Sequence, residues 1–142
     1  MVTDETIDQA LARLDRCGRK TPLEGKWQTA PYDNVSFCDE QAAVILVDSV
    51  YVVGVGRVSG RLVLIGDAIR DDEQFVNSSV EAFADCAETF WDGTRDRPDN
   101  DDEALEAAAQ ELRKKMELLD PHAFEGENQL WPTAIEEFGY GI

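Results

Sequence analysis

Residues 42–65 read AAVILVDSVYVVGVGRVSGRLVLI, and this stretch decides the fold. It holds three apolar runs, 42–47, 50–58 and 61–65, parted by Asp48-Ser49 and Ser59-Gly60. Val and Ile dominate the runs, and branched side chains suit a pleated, half-buried surface. Connections this short force neighbouring strands to run antiparallel, because a parallel crossover needs about a dozen residues or more. The spacing therefore predicts an antiparallel meander. Gly54 and Gly56 mark a bulge or close packing within it. Residues 35–38 add a short strand ahead of it.

Helices are expected on either side. Residues 3–17 carry Thr3 as an N-cap, Asp4 and Glu5 in the first turn, and Ile7, Leu11 and Leu14 on one face. Gly18 is the stop. Residues 19–34 read as mostly loop, with Trp27 and Tyr32 folding back onto the core. Beyond the meander, Ser78 and Glu81 have the form of a capping box. Val80, Phe83, Ala84, Ala87, Phe90 and Trp91 then form one stripe. Residues 92–100, with Gly93 and Pro98, read as an exposed loop. Leu105, Ala108, Ala109, Leu112, Met116 and Leu119 line a helix over 101–119, which Pro121 ends. A last short helix starts near Pro132 and carries Ala134, Ile135 and Phe138. The fold class is α+β: one domain over 1–142, an antiparallel or mixed sheet flanked by helices.

Composition narrows the function. The chain has 142 residues, close to the ~150 typical of one domain. Lys and Arg number 13 and Asp and Glu 30, a net charge of −17. Such a chain repels phosphate backbones and anionic membranes. Residues 1–20 contain no apolar core of a secretory signal. The apolar run 42–56 is broken by Asp48 and is too short to span a bilayer. Cys17, Cys38 and Cys86 are odd in number, widely spaced and without a CxxC pair. They read as free thiols in a reducing cytoplasm.

The motifs that carry chemistry fall short. Gly54-Val55-Gly56-Arg57-Val58-Ser59-Gly60 misplaces its third glycine and leads into a strand, so no helix N-terminus can hold a pyrophosphate. His122 is the sole histidine, which excludes multi-histidine metal centres. It suits a helix end. Asp99, Asp101 and Glu103 alternate like a calcium loop, but Ala104 and Gln110 stand where glycine and glutamate are required. Asn77-Ser78-Ser79 matches a glycosylation sequon that the expected compartment leaves unused. No catalytic residue, cofactor or metal is expected.

What remains is acidity. Solubility, salt adaptation and a surface complementary to a basic protein all account for it; the chain has 16 Asp, 14 Glu, 9 Arg and 4 Lys. If a partner is the reason, the candidate residues are Asp71, Asp72 and Glu73, and Asp96, Asp99, Asp101 and Asp102, which lie between apolar stripes.

One segment adds a resemblance. Gln74-Phe75-Val76-Asn77-Ser78-Ser79-Val80-Glu81-Ala82-Phe83, with Phe90-Trp91 following, resembles the SUKH superfamily of immunity proteins, subfamily four. Glu117-Leu118-Leu119-Asp120-Pro121, Leu130-Trp131-Pro132 and Ile135-Glu136-Glu137 extend the likeness over residues 62–139. The resemblance implies a twisted sheet flanked by helices. It implies a non-enzymatic antitoxin that binds a cognate toxin domain, often a nuclease or deaminase, beside which it is made. Phe75, Asn77, Ser78 and Phe83 carry over as a strand-to-helix corner, with Asn77 and Ser78 expected to cap the helix. No residue carries over as a binding residue. The alternative is an intracellular adaptor of the same fold with another basic partner.

Overall fold

The computed structural model describes residues 1–96 and 101–141. Six strands form one sheet: β1 Lys26–Trp27, β2 Asn34–Phe37, β3 Glu40–Val47, β4 Val52–Gly56, β5 Leu62–Ile65 and β6 Phe75–Asn77. Four α-helices accompany it: α1 Asp4–Ala12, α2 Val80–Thr94, α3 Asp102–Leu119 and α4 Leu130–Gly139. The class is α+β, as expected. Every strand pair is antiparallel, in the order β1-β3-β4-β5-β6, with β2 also pairing β3. The 42–65 meander forms β3, β4 and β5.

The register explains the core. Ala43, Val55 and Leu62 lie on one face, followed by Leu46, Val53 and Leu64. These six belong to the core that the helices share. A register shift between Val44 and Leu46 makes Ile45 an extra residue, so that Ile45 and Leu46 are both fully buried despite being adjacent. Ala42, Val44 and Val63, of the opposite parity, are buried outside that core cluster. A Cβ on Gly54 would stand 3.0 Å from the Ala42 Cβ and 3.1 Å from Ile65 Cδ1. Gly54 is thus the close-packing residue, and the bulge lies across from it on β3.

Residues 19–34 are mostly loop, with Lys26 and Trp27 pairing with Val47 and Leu46 as β1. Two expectations on extent are corrected. The second meander strand is shorter than 50–58. Asp48 N–H donates to the Tyr51 carbonyl at one end, and the chain turns at Arg57–Ser59 at the other. The polar stretch from Asp92 does not begin a loop: α2 runs to Thr94. Gly93 does not stop it, because its missing side chain lets α2 sit against α3, where a Cβ would meet Leu112 Cδ1 at 2.9 Å. Residues 97–100, including Asp99 and Pro98, lie outside the described residues.

The helices pack as their stripes require. Ile7, Leu11 and Leu14 are fully buried, and Gly18 ends the first helical segment in a left-handed conformation. Arg13 pairs with Asp85 and Glu88, and Arg16 with Glu88 and Asp92, which ties this segment to α2. Tyr32 is buried and Trp27 packs against the core. Leu119 departs from its stripe and is 42% exposed, because α3 ends there and the chain turns into Pro121–Phe124.

Candidate functional site

The strand-to-helix corner is built differently from a local cap. Ser79, not Ser78, is the N-cap of α2, and its Oγ accepts from Ala82 N–H at 3.0 Å. Ser78 instead faces the far end of α3. Its N–H and Oγ–H donate to the Asp120 carboxyl at 2.8 and 2.7 Å. Asn77 Nδ2 donates to the same carboxyl at 2.8 Å, and Trp131 Nε1 donates to Asn77 Oδ1 at 2.8 Å. Asn77 and Trp131 are fully buried and Asp120 is 3% exposed. The expected capping by Asn77 and Ser78 is therefore replaced by a long-range network that joins β6, α2, α3 and α4. Phe83 is buried, with its ring centroid 5.9 Å from that of Trp131. Cys86 lies beside Asn77, and burial pushes its thiol up to about 12. This thiol is inert at neutral pH.

The acidic candidates fall in different places. Asp71, Asp72 and Glu73 form a short turn ahead of β6. Asp71 accepts from Gln74, Asp72 from Asn128, and Glu73 pairs with Arg70. The Asn128 amide lowers the Asp72 pKa below the ordinary range. Asp96 is open to solvent, with Arg95 Nε at 4.0 Å. Asp101 caps α3 through Ala104 N–H. Asp102, in the first turn of α3, lies on the wall of a groove between α3 and α4 that also reaches Tyr140. The 71–73 turn thus touches the residues before α4, while Asp102 sits near its end. A ten-residue helix is ~15 Å long. The two acidic groups are not one patch.

Sequence reasoning missed the acids that line the groove with Asp102: Glu106, Glu127 and Glu136. The signal was present in the i, i+4 spacing of Asp102 and Glu106, which places both on one side of a helix. It also missed Glu40. That side chain accepts from the N–H groups of Val58 and Ser59 at 3.0 Å each and pairs with Arg61. The Ser59 N–H foremost, with the other donors, holds its pKa at about 2. Gly56 makes room for this carboxylate, since a Cβ there would stand 2.5 Å from Glu40 Oε1.

With this architecture in view, comparison with protein families matches residues 38–137 to the SUKH-4 immunity proteins. The matched segment spans β3 to β6, α2, α3 and most of α4. The chain belongs to the SUKH-4 immunity protein family. Toxin immunity is accordingly its function, and a cognate toxin its kind of partner. No curated protein and no solved structure matches the chain significantly.

For a SUKH-4 member, the remaining features are structural in character. His122 is exposed and pairs with Glu125 at 2.7 Å, which raises its pKa through the hydrogen bond. Its carbonyl accepts from the buried Gln129, fixing the turn before α4. Ser78 and Phe75 border a cleft of about 450 Å3 whose two basic side chains, Arg61 and His122, already face Glu40 and Glu125. Among the described residues no cluster of His, Cys, Asp and Glu is arranged to hold a metal ion. Among them, too, no helix is long and apolar enough to cross a membrane.

Proposed function

We propose that this SUKH-4 protein acts in the cytoplasm of the cell that makes the toxin. It neutralises a basic toxin domain, of the nuclease or deaminase kind, by direct binding without chemistry of its own. The observation that carries this reading is the family match over residues 38–137, on a chain with a net charge of −17. A nuclease or nucleic-acid deaminase must present cationic groups to its substrate's phosphates. An acidic protein competes for those groups.

The acids proposed to meet the toxin are Asp71, Asp72, Glu73, Asp96, Asp101 and Asp102, together with Asp99, which lies outside the described residues. Exposed charges of this kind steer encounter and set the salt dependence of association. Consecutive acids are costly to desolvate together, so the 71–73 turn belongs at the rim of the complex.

The test is co-expression with the toxin domain encoded beside the gene, scored by cell survival. Protection is expected. Loss of viability with the folded protein present overturns the reading. Surface plasmon resonance at two salt concentrations tests the rim. Replacing residues 71–73 by Asn and Gln should slow association at low salt and leave dissociation unchanged. An association rate indifferent to salt and to these changes refutes the electrostatic part.

A further inference from the structure

The groove between α3 and α4 has a volume of about 570 Å3. Ala109, Ile135 and Gly139 supply its floor. Small residues let the helices touch there: a Cβ on Gly139 would lie 3.2 Å from the Ala109 Cβ. Longer side chains stand above this floor as walls. Four of them are acids: Asp102 and Glu106 from α3, Glu136 from α4, and Glu127 from the turn before α4.

These four contrast with the acids of the seam between the first helical segment and α2, and with Glu73. Asp85, Glu88 and Asp92 on α2 are paired with arginines, and Glu73 pairs with Arg70. Among the described residues, none of the four groove acids has a cation within ion-pair distance. Arg113 also lines the groove, but it is bound to Glu117 at 2.7 Å and lies over the Phe124 ring. The groove is thus a concave surface bearing uncompensated negative charge, and its low-dielectric floor focuses the potential.

We infer that this groove seats a lysine or arginine side chain of the toxin domain, its aliphatic stem on the Ala109–Ile135–Gly139 floor and its charged head among Glu106, Glu136 and Asp102. The inference rests on the immunity reading and names its contact surface. Charge and shape select the occupant. A second copy of this chain would bring its own charge of −17 to an acidic groove. Among the described residues no group of acids is arranged to hold a metal ion. A long cationic side chain satisfies both the apolar floor and the separated carboxylates. Tyr140, 74% exposed at the rim, offers an aromatic face to a neighbouring cation.

The experiment uses the full chain and the toxin domain encoded beside it. Three proteins are compared by surface plasmon resonance and by survival on co-expression: the wild type, the Glu106→Gln/Glu136→Gln variant, and a Glu81→Gln/Glu103→Gln control. The control makes the same charge change away from the groove. All four positions are exposed or half-buried, and thermal melting confirms that the variants fold. The groove variant is expected to lose roughly tenfold or more in affinity, with faster dissociation, while the control stays within about threefold of wild type. Equal affinity of the groove variant and wild type overturns the inference. So does a control weakened as much as the groove variant, since overall charge then accounts for the loss. A wild type that neither binds nor protects overturns the immunity reading itself, which separates the two failures.

Discussion

Trp131 and Asn77, 54 residues apart in the chain, meet in the core, where the indole N–H donates to the amide oxygen at 2.8 Å. Both are fully buried, so neither group has water as an alternative partner. The strand-to-helix corner is thereby locked to the C-terminal helix. Changing Trp131 to Phe keeps much of the ring packing on Phe83 and Phe90 but removes the donor. A buried acceptor left unpaired costs about 1–3 kcal/mol. Urea denaturation of Trp131→Phe is expected to show a loss at least that large, because the smaller ring also leaves space. An unchanged midpoint would show that the hydrogen bond contributes nothing.

Asp120 collects three donors, from Asn77 Nδ2, Ser78 N and Ser78 Oγ. Asp120→Ala strands the fully buried Asn77 amide and takes the acceptor from the two half-buried Ser78 donors. A loss of about 2–5 kcal/mol is expected, larger than for truncating either donor side chain alone. Double-mutant cycles with Asn77→Ala and Ser78→Ala check this: the effects should be strongly non-additive, since the partners share one carboxyl. Simple additivity would contradict a shared network.

The two serines of the motif should separate experimentally. Ser79→Ala removes the N-cap of α2 and is expected to cost about 0.5–2 kcal/mol. It should also increase amide exchange at Ala82. Ser78→Ala should leave exchange in the first turn of α2 unchanged and instead loosen the Asp120 end of α3. Equal exchange profiles for the two variants would refute this division of roles.

Glu40 predicts a pH signature. Its folded pKa, about 2, is lowered from the ordinary 4.5 by the donors around it. A lowered carboxyl pKa stabilises the fold fully above the unfolded value, and that contribution fades as pH falls from 4.5 towards 2. Glu40→Gln keeps the shape but not the charge. The difference in stability between wild type and variant is expected to be about 1–3 kcal/mol near neutrality and to shrink across that acid window. Chemical denaturation at several pH values measures it. A difference constant with pH would show that the charge is immaterial.

The meander was legible because its runs are apolar and its turns short, which leaves few alternatives to antiparallel pairing. Helices α1, α3 and α4 were legible from periodicity. The end of α2 was not: Gly93 reads locally as a breaker, and only the approach of Leu112 shows why a glycine is needed inside a helix. Strand β1 is two residues long and takes its structure from the edge of β3, which no local pattern reports. The capping assignment slipped by one serine because Ser78 and Ser79 are equivalent in sequence and differ only in what faces them. Asp120 was hidden for a related reason: its partners are 42 and 43 residues away. Among the groove acids, Asp102 was named as a candidate from charge. The four acids of that wall are brought together by the crossing of α3 and α4, a matter of packing.

Arg13 and Arg16 reach across to Asp85, Glu88 and Asp92, and Ile7, Leu11 and Leu14 fill the space beneath them. All five residues of that support precede the family-matched segment, which begins at residue 38. A fragment cut at that boundary would leave a row of like charges unneutralised along one helix. It would also open a strip of greasy surface on the floor of the protein. The portion by which kinship is recognised and the portion able to stand alone are thus of different lengths. Transplanting this antitoxin into another host, or fusing it to a reporter, requires the opening helix to travel with it.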